Sequence, residues 1–217
     1  MATQPSFAGP VVGDFERPAA SLIAEAAKFG AATLHEASGK IGVVPPRIKP
    51  VHPDFKICGP AFTVLAAPGD NLWLHRALAA AKPGDILFCG VGDRPEYGYF
   101  GEIMAHTAKA RGLGGLVIDG CVRDGSLLPE IGFPVFATGL CIRGTSKDDR
   151  LGGWLNLPLS IGEVRIFPGD LVVGDADGVV VLPREGLAEN LKKSAARDEA
   201  EAKRIAEIKA GKIASRY

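Results

Sequence analysis

The chain has 217 residues, 47% of them apolar and 23% charged, the make-up of an ordinary globular protein. Its 25 lysines and arginines balance 25 aspartates and glutamates. That leaves no electrostatic footprint for nucleic acid or an anionic membrane surface. The length favours one domain over 1–217, with 1–17 as a flexible N-terminal stretch. The first residues hold no basic segment followed by an apolar core, so no secretory signal is expected, and no apolar run is long enough to cross a bilayer. A helix is predicted from Pro18 to Gly30 and a second from Ala32 to Ser38, stopped by Gly39. Pro45, Pro46 and Pro50 then break regular structure. Ile57 to Ala66 is the first strand, with Gly59-Pro60 suggesting a bulge or a sheet edge. A Pro-Gly-Asp turn at 68–70 leads into a helix from Asn71 to Ala81.

Pro-Gly-Asp recurs at 83–85 and 168–170, each time followed by an apolar strand, Ile-Leu-Phe-Cys or Leu-Val-Val. Proline then glycine suits the centre of a type II turn. After the strand ending at Gly90 comes a loop, Val91 to Tyr97. Gly90-Val-Gly92 is not a dinucleotide fingerprint, because the third glycine would fall at Pro95. A helix from Gly101 to Arg111, a turn at Gly112 and a strand from Gly115 to Asp119 complete a βαβ crossover, which makes its two strands parallel. The turn Gly120–Gly125 precedes a short helix, a strand at Pro134–Ala137 and a polar loop from Arg143 to Arg150. Asp175-Ala-Asp177-Gly178 reads as a hairpin turn, since it lacks the oxygen ligands of a calcium loop. Glu185 to Gly211 is one long helix whose apolar stripe (Leu187, Leu191, Ala195, Ala202, Ile205, Ile208) is interrupted by a polar middle, as in a helix that reaches over a neighbour.

Ligands of parallel sheets bind beyond the carboxyl ends of the strands. At that edge the helix N-terminus, Gly101, Glu102, Ile103 and Met104, offers unpaired N–H groups to an anion. Arg123 is a two-pronged donor for a carboxylate or phosphate. Asp124 suits a hard cation such as Mg2+, or it could simply cap the short helix that follows. Glu102 faces the same space, or serves only the helix dipole. Lys147 could steady a second anion or stay solvated. Cys58, Cys89, Cys121 and Cys141 show no metal-like spacing and read as free thiols of a reducing cytoplasm; Cys121 lies inside the site turn.

The run Gly115-Leu-Val-Ile-Asp-Gly-Cys-Val-Arg-Asp124, preceded by Phe100-Gly-Glu-Ile-Met104, resembles the RraA-like family. That family includes class II 4-hydroxy-4-methyl-2-oxoglutarate/4-carboxy-4-hydroxy-2-oxoadipate aldolases. The likeness continues through Gly144-Thr-Ser-Lys147, Phe167–Val173 and Asp177–Pro183. It implies an α/β fold of the layered β/β/α swivelling type with a long C-terminal helix, assembled as a homotrimer or homohexamer. It further implies a pyruvate aldolase dependent on Mg2+ or Mn2+, with oxaloacetate decarboxylase activity. Asp124 would hold the metal, and Arg123 the pyruvyl group with help from the Gly101–Met104 amides. Lys147 would meet the distal carboxylate, while Glu102 and a neighbouring subunit's Glu199 would orient a proton-accepting water. Position 102 is a glutamate where the aldolases carry an aspartate. Other members of the family bind and inhibit RNase E, which makes a non-catalytic regulator the alternative. A Schiff-base aldolase would need a desolvated lysine, and the lysines near this edge have charged or polar neighbours.

Overall fold

The apolar run Ile57–Leu65 forms strand β2, and almost every side chain along it is buried because the sheet continues on both sides. The computed structural model describes residues 13–212. In chain order the elements before the crossover are α1 (Ala20–Ala26), α2 (Ala31–Ala37), β1 (Lys49–Pro50), β2 and α3 (Leu72–Ala80). The crossover is β3 (Ile86–Gly90), α4 (Glu102–Ala110) and β4 (Gly115–Asp119). Then come β5 (Cys121–Val122), α5 (Leu127–Ile131), β6 (Val135–Ala137), β7 (Gly139–Leu140) and β8 (Trp154–Leu155). The chain closes with β9 (Leu159–Ile161), β10 (Val164–Ile166), β11 (Leu171–Asp175), β12 (Gly178–Leu182) and α6 (Leu187–Lys209).

The main sheet runs β1-β6-β4-β3-β2-β11-β12, with β8 also paired to β2. β2, β3, β4 and β6 are mutually parallel, and the β11–β12 hairpin closes one side antiparallel. The crossover predicted from the apolar runs is therefore present, with Gly90 level with Asp119 at the carboxyl edge. Two further pairs, β9–β10 and β5–β7, lie outside the main sheet. The predicted turn at 120–125 thus contains a two-residue strand. Gly59-Pro60 is no bulge but a local edge: β2 as a whole is interior, yet residues 57–60 pair with β11 alone and pairing with β3 begins at Ala61. Gly59 is required there, since an added Cβ would meet Gly84 O at 2.4 Å.

The hairpin strands alternate between two cores. Val172, Val179 and Val181 face the main core, whereas Leu171, Val173, Val180 and Leu182 face a second one shared with α1, α2 and the start of α6. Period-two alternation is how one ribbon separates two apolar layers. Leu187 and Leu191 anchor α6 in that second core, but Ile205 and Ile208 further along are about half exposed. The expected stripe is thus satisfied within the chain only over its first half.

The three Pro-Gly-Asp turns share a device. Asp85 Oδ2 accepts the Lys82 amide and Asp170 Oδ2 the Phe167 amide, closing each turn from within. Asp70 instead caps α3 through the Leu72 amide. All three aspartates are buried. Asp85 also receives a two-pronged hydrogen bond from Arg17, at 2.7 and 2.8 Å. Asp14 pairs with Arg17 and Lys82, and Phe15 packs against the main core. Of the stretch 1–17 expected to be flexible, residues 14–17 are thus tied down by charge and packing; residues 1–12 lie outside the described residues. Hydrogen bonding to Asp85, chiefly, holds the Arg17 guanidinium pKa above its usual value.

Removing one partner of a buried ion pair leaves the other uncompensated, at a cost of about 3–5 kcal/mol. Arg17→Met should therefore lower the midpoint of urea unfolding with little change in slope. A midpoint equal to that of the unsubstituted protein would show that the N-terminal strap contributes nothing to stability.

Candidate active site

Asp124 stands at φ +58°, a left-handed conformation that few non-glycine residues adopt and that aspartate tolerates better than most. In that pose its carboxylate turns away from α5. Leu127 and Leu128 donate instead to the Asp124 carbonyl oxygen, and α5 has no side-chain cap. Asp124 Oδ2 accepts the Glu102 amide at 2.9 Å, so it caps α4, 22 residues earlier. The capping alternative for Asp124 thus named the right interaction and the wrong helix. One of the amides expected to be open to an anion is occupied by this bond. Those of Ile103 and Met104 have no acceptor inside the helix, as at any helix start.

The turn is sewn to the segment before α4 by backbone bonds. Arg123 N–H donates to Phe100 O at 2.9 Å, Tyr99 N–H to Cys121 O at 3.1 Å, and Cys121 N–H to Pro95 O at 2.8 Å. Such a fit needs glycine. A Cβ on Gly101 would lie 2.4 Å from Asp124 Oδ2 and 3.0 Å from Arg123 Nε, and one on Gly98 only 2.5 Å from Cys141 O. The Arg123 side chain, about half exposed, lies along this surface with Nε 3.5 Å from Asp124 Oδ2.

Arg123 borders a cleft of about 240 Å³, whose walls also include Gly101, Ile103, Met104 and Lys147. The structure therefore brings together five of the residues singled out in the sequence. Arg123 also borders a second, more open depression of about 410 Å³ with Asp124, Leu140 and Ile142. The Glu102 side chain is exposed and lines neither space. Glu199 lies on α6, which packs on α1 and α2 beside the hairpin, and it too is absent from both linings. Cys121 is a half-buried free thiol with Sγ 3.6 Å from Thr138 Oγ1.

Other side chains of the cleft wall were not anticipated. Asn71, His75 and Thr145 line it with Lys147, and Asn71 and His75 stand one turn apart on α3, a spacing that puts both on one face. That spacing was legible, but nothing local said which way the face pointed. The loop bearing Lys147 is held by Asp70, whose Oδ2 accepts from Ser146 Oγ and from the Asp148 amide, both at 2.7 Å. Burial, and after it the charge of Lys147, lowers the His75 pKa from the usual imidazole value. Burial likewise pushes the Cys58 thiol up to about 11, far from this edge.

Among the described residues no three His, Cys, Asp or Glu side chains gather as a metal cage. Asp124 does keep Oδ1 clear of the hydrogen bond that Oδ2 makes. A single carboxylate with an open oxygen fits a hard cation that retains most of its water, as Mg2+ does, and does not fit a closed zinc-type centre.

A family model described as RraA-like (Aldolase/RraA) matches residues 21–181. A Halalkalibacterium halodurans protein, provisionally named a 4-hydroxy-4-methyl-2-oxoglutarate aldolase, is 39% identical over 163 residues, covering 74% of this chain and 77% of its own. A Burkholderia mallei protein with the same provisional name is 32% identical over 145 residues, or 67% of this chain and 86% of its own. Among solved structures, Streptomyces coelicolor RraAS2, described as an unusual member of the RNase ES inhibitor RraA family, superposes with a TM-score of 0.77 at 27% identity, over 89% of this chain and 99% of its own. With the crossover, the Arg123–Asp124 turn and the closing hairpin all in place, the chain belongs to the RraA-like family.

Proposed function

We propose that this protein is a class II pyruvate aldolase that cleaves a 4-hydroxy-2-oxo acid bearing a further carboxylate. Candidates are 4-hydroxy-4-methyl-2-oxoglutarate and 4-carboxy-4-hydroxy-2-oxoadipate. The observation that carries this reading is the cleft flanked by Arg123 and Lys147, with the Asp124 carboxylate beside it. Two cationic groups across one small cleft suit a ligand that is anionic at both ends, and relatives bearing the aldolase name support the chemistry.

In this reading Arg123 grips the planar pyruvyl end, for which a guanidinium offers two parallel donors, and the Ile103 and Met104 amides assist. Lys147 meets the distal carboxylate. A water held by Glu102 and by Glu199 of a neighbouring chain takes the 4-hydroxyl proton. The C3–C4 bond breaks, C4 becomes the carbonyl carbon of the departing oxo acid, and the bonding pair passes into pyruvate enolate, which is then protonated at C3. Mg2+ or Mn2+ held by Asp124 would supply Lewis-acid stabilisation of the developing oxygen charge. Oxaloacetate decarboxylation follows the same course with carbon dioxide as the departing group. The assembly proposed is a homotrimer or homohexamer in the cytoplasm, with no nucleic-acid or membrane partner; among the described residues no helix is long and apolar enough to span a membrane. A second reading, a non-catalytic regulator of RNase E, draws on the likeness to the Streptomyces protein.

Pyruvate release in a coupled assay should require added Mg2+ or Mn2+ and stop in excess EDTA. Full activity in EDTA, or trapping of a pyruvyl adduct by borohydride, would contradict the metal-dependent scheme, and no pyruvate from any candidate acid would favour the regulator.

Mixing inactive Glu199→Ala and inactive Asp124→Ala protomers should regenerate some intact sites if α6 acts across a subunit boundary. No recovery after demonstrated subunit exchange would rule the shared site out.

Arg123→Lys replaces a rigid fork by a flexible point charge. If the contact tightens as the enolate forms, kcat should drop roughly a hundredfold or more, equivalent to about 3–4 kcal/mol, in both cleavage and decarboxylation. Arg150, paired with Asp148 at 2.6 Å, serves as the control, and Arg150→Lys should change little. A near-normal kcat for Arg123→Lys in both reactions would remove Arg123 from the chemistry.

A further inference from the structure

Asn71 precedes α3 in the cleft wall and is only 5% exposed. Its Nδ2 donates to Tyr99 O at 2.9 Å and lies 3.5 Å from Met104 Sδ. A carbonyl oxygen only accepts, so the amino group has to face Tyr99 and the orientation of the side-chain amide is settled. What Asn71 can still offer is Oδ1, and that buried oxygen has no hydrogen-bond donor. Buried polar atoms are nearly always paired in folded proteins, so an orphan sealed beneath the surface of a cleft-wall residue points to a ligand group that reaches it when the wall yields on binding.

The chemistry of the missing partner follows from the other walls. Arg123 and Lys147 are donors only, so they select an acceptor-rich, anionic ligand. Asn71 Oδ1 is an acceptor only and demands the reverse, a donor carried on that same anion. An oxo dicarboxylate has no donor of its own at neutral pH; a hydroxyl on the carbon chain supplies one. We infer that Asn71 Oδ1 accepts a hydrogen bond from the substrate's 4-hydroxyl and so makes the cleft bind hydroxylated oxo acids more tightly than unhydroxylated ones. The inference rests on the aldolase reading and adds a substrate-binding residue to it.

The contact is one of recognition. A neutral amide oxygen is too weak a base to take the proton, and the hydroxyl has a single hydrogen. That hydrogen has to swing from Oδ1 to the proton acceptor before the C3–C4 bond breaks, so the bond to Asn71 belongs to the bound ground state. Its loss should therefore raise KM and kcat together and leave kcat/KM nearly unchanged. His75, one turn further along α3, is not needed for this role.

The experiment compares two substitutions on two substrates, using the full-length protein with Mg2+. Asn71→Leu removes both polar atoms, whereas Asn71→Asp keeps an acceptor oxygen and loses only the donor to Tyr99. Substrates are 4-hydroxy-4-methyl-2-oxoglutarate, which carries the hydroxyl, and oxaloacetate in its keto form, which does not. Asn71→Leu should raise the KM for the hydroxy acid, relative to that for oxaloacetate, by about tenfold, the size of one neutral hydrogen bond, with kcat for the hydroxy acid rising in step. Asn71→Asp should keep the wild-type KM ratio, because its added charge repels both dianions alike and both variants lose the Tyr99 bond. An unchanged ratio in Asn71→Leu would overturn the inference. So would an equal shift in both variants, which would assign the effect to the Tyr99 contact. Wild-type protein that turns over neither substrate would instead overturn the aldolase reading, and the inference with it.

Discussion

Asp124 Oδ2 accepts the Glu102 amide at 2.9 Å while its own backbone is held at φ +58°. The left-handed pose costs roughly 1–2 kcal/mol for a residue with a Cβ. A hydrogen bond to a charged acceptor contributes about 1.5–3 kcal/mol, so the bond suffices to hold the strained turn. The geometry has no slack. A Cβ added to Gly101 would lie 2.4 Å from the same carboxylate oxygen, and Arg123 is laid over Gly98 and Gly101. With α4, the 120–125 turn and the guanidinium all located by this contact, the arrangement of the carboxyl edge depends on whether Asp124 stays bonded.

Much of this was legible in the sequence, for physical reasons that differ from element to element. The crossover announced itself because β3 and β4 are buried on both faces and so read as unbroken apolar runs between Pro-Gly and Gly-Gly punctuation. The hairpin at 175–178 was visible from its turn residues. The pairing of Asp124 with Glu102 was not, since a cap across 22 residues leaves no local spacing to detect, and the nearer helix at Leu127 was the natural guess. Pro60 was informative only locally. A proline usually marks an edge, and here it sits in the one-sided start of a strand that becomes interior from Ala61 onward. The α3 wall of the cleft was hidden for a third reason: Asn71 and His75 are ordinary residues until Lys147 is brought to them from the far end of a loop.

The Pro-Gly-Asp turns separate what short motifs encode from what they do not. The chemistry is the same each time: glycine permits the turn, and an aspartate oxygen satisfies an amide that burial would otherwise leave unpaired. The tertiary use differs at every site. Both oxygens of Asp85 also accept from Arg17, fixing the N-terminal strap. Asp170 also receives the Arg184 amide, at 3.4 Å. Asp70 reaches Ser146 and Asp148 and thereby holds the Lys147 loop against α3. A turn signal predicts the local closure reliably, because that closure is complete within four residues. The remaining hydrogen-bond capacity is assigned by whatever the fold delivers to the spot.

The exposure around Arg123 bears on how the proposed chemistry would be made efficient. Ile103 is 76% exposed, Leu140 62% and Ile142 95%, and all three border spaces that Arg123 also lines. Apolar surface of this kind gains nothing from water, and it frames charged groups whose interactions water weakens. A guanidinium half open to solvent binds a carboxylate through a high dielectric, and the gain from enolate charge is correspondingly small. Covering the rim would bury the isoleucines and the leucine and strengthen the charge contacts in the same step. In the proposed assembly the cover is a second copy of the chain, which also brings Glu199. The half of α6 that carries Ile205 and Ile208 past its own core likewise presents apolar residues that the chain itself does not cover. On this argument subunit contact would contribute more than one glutamate: it would supply the low dielectric that lets Arg123 distinguish an enolate from the acid that formed it.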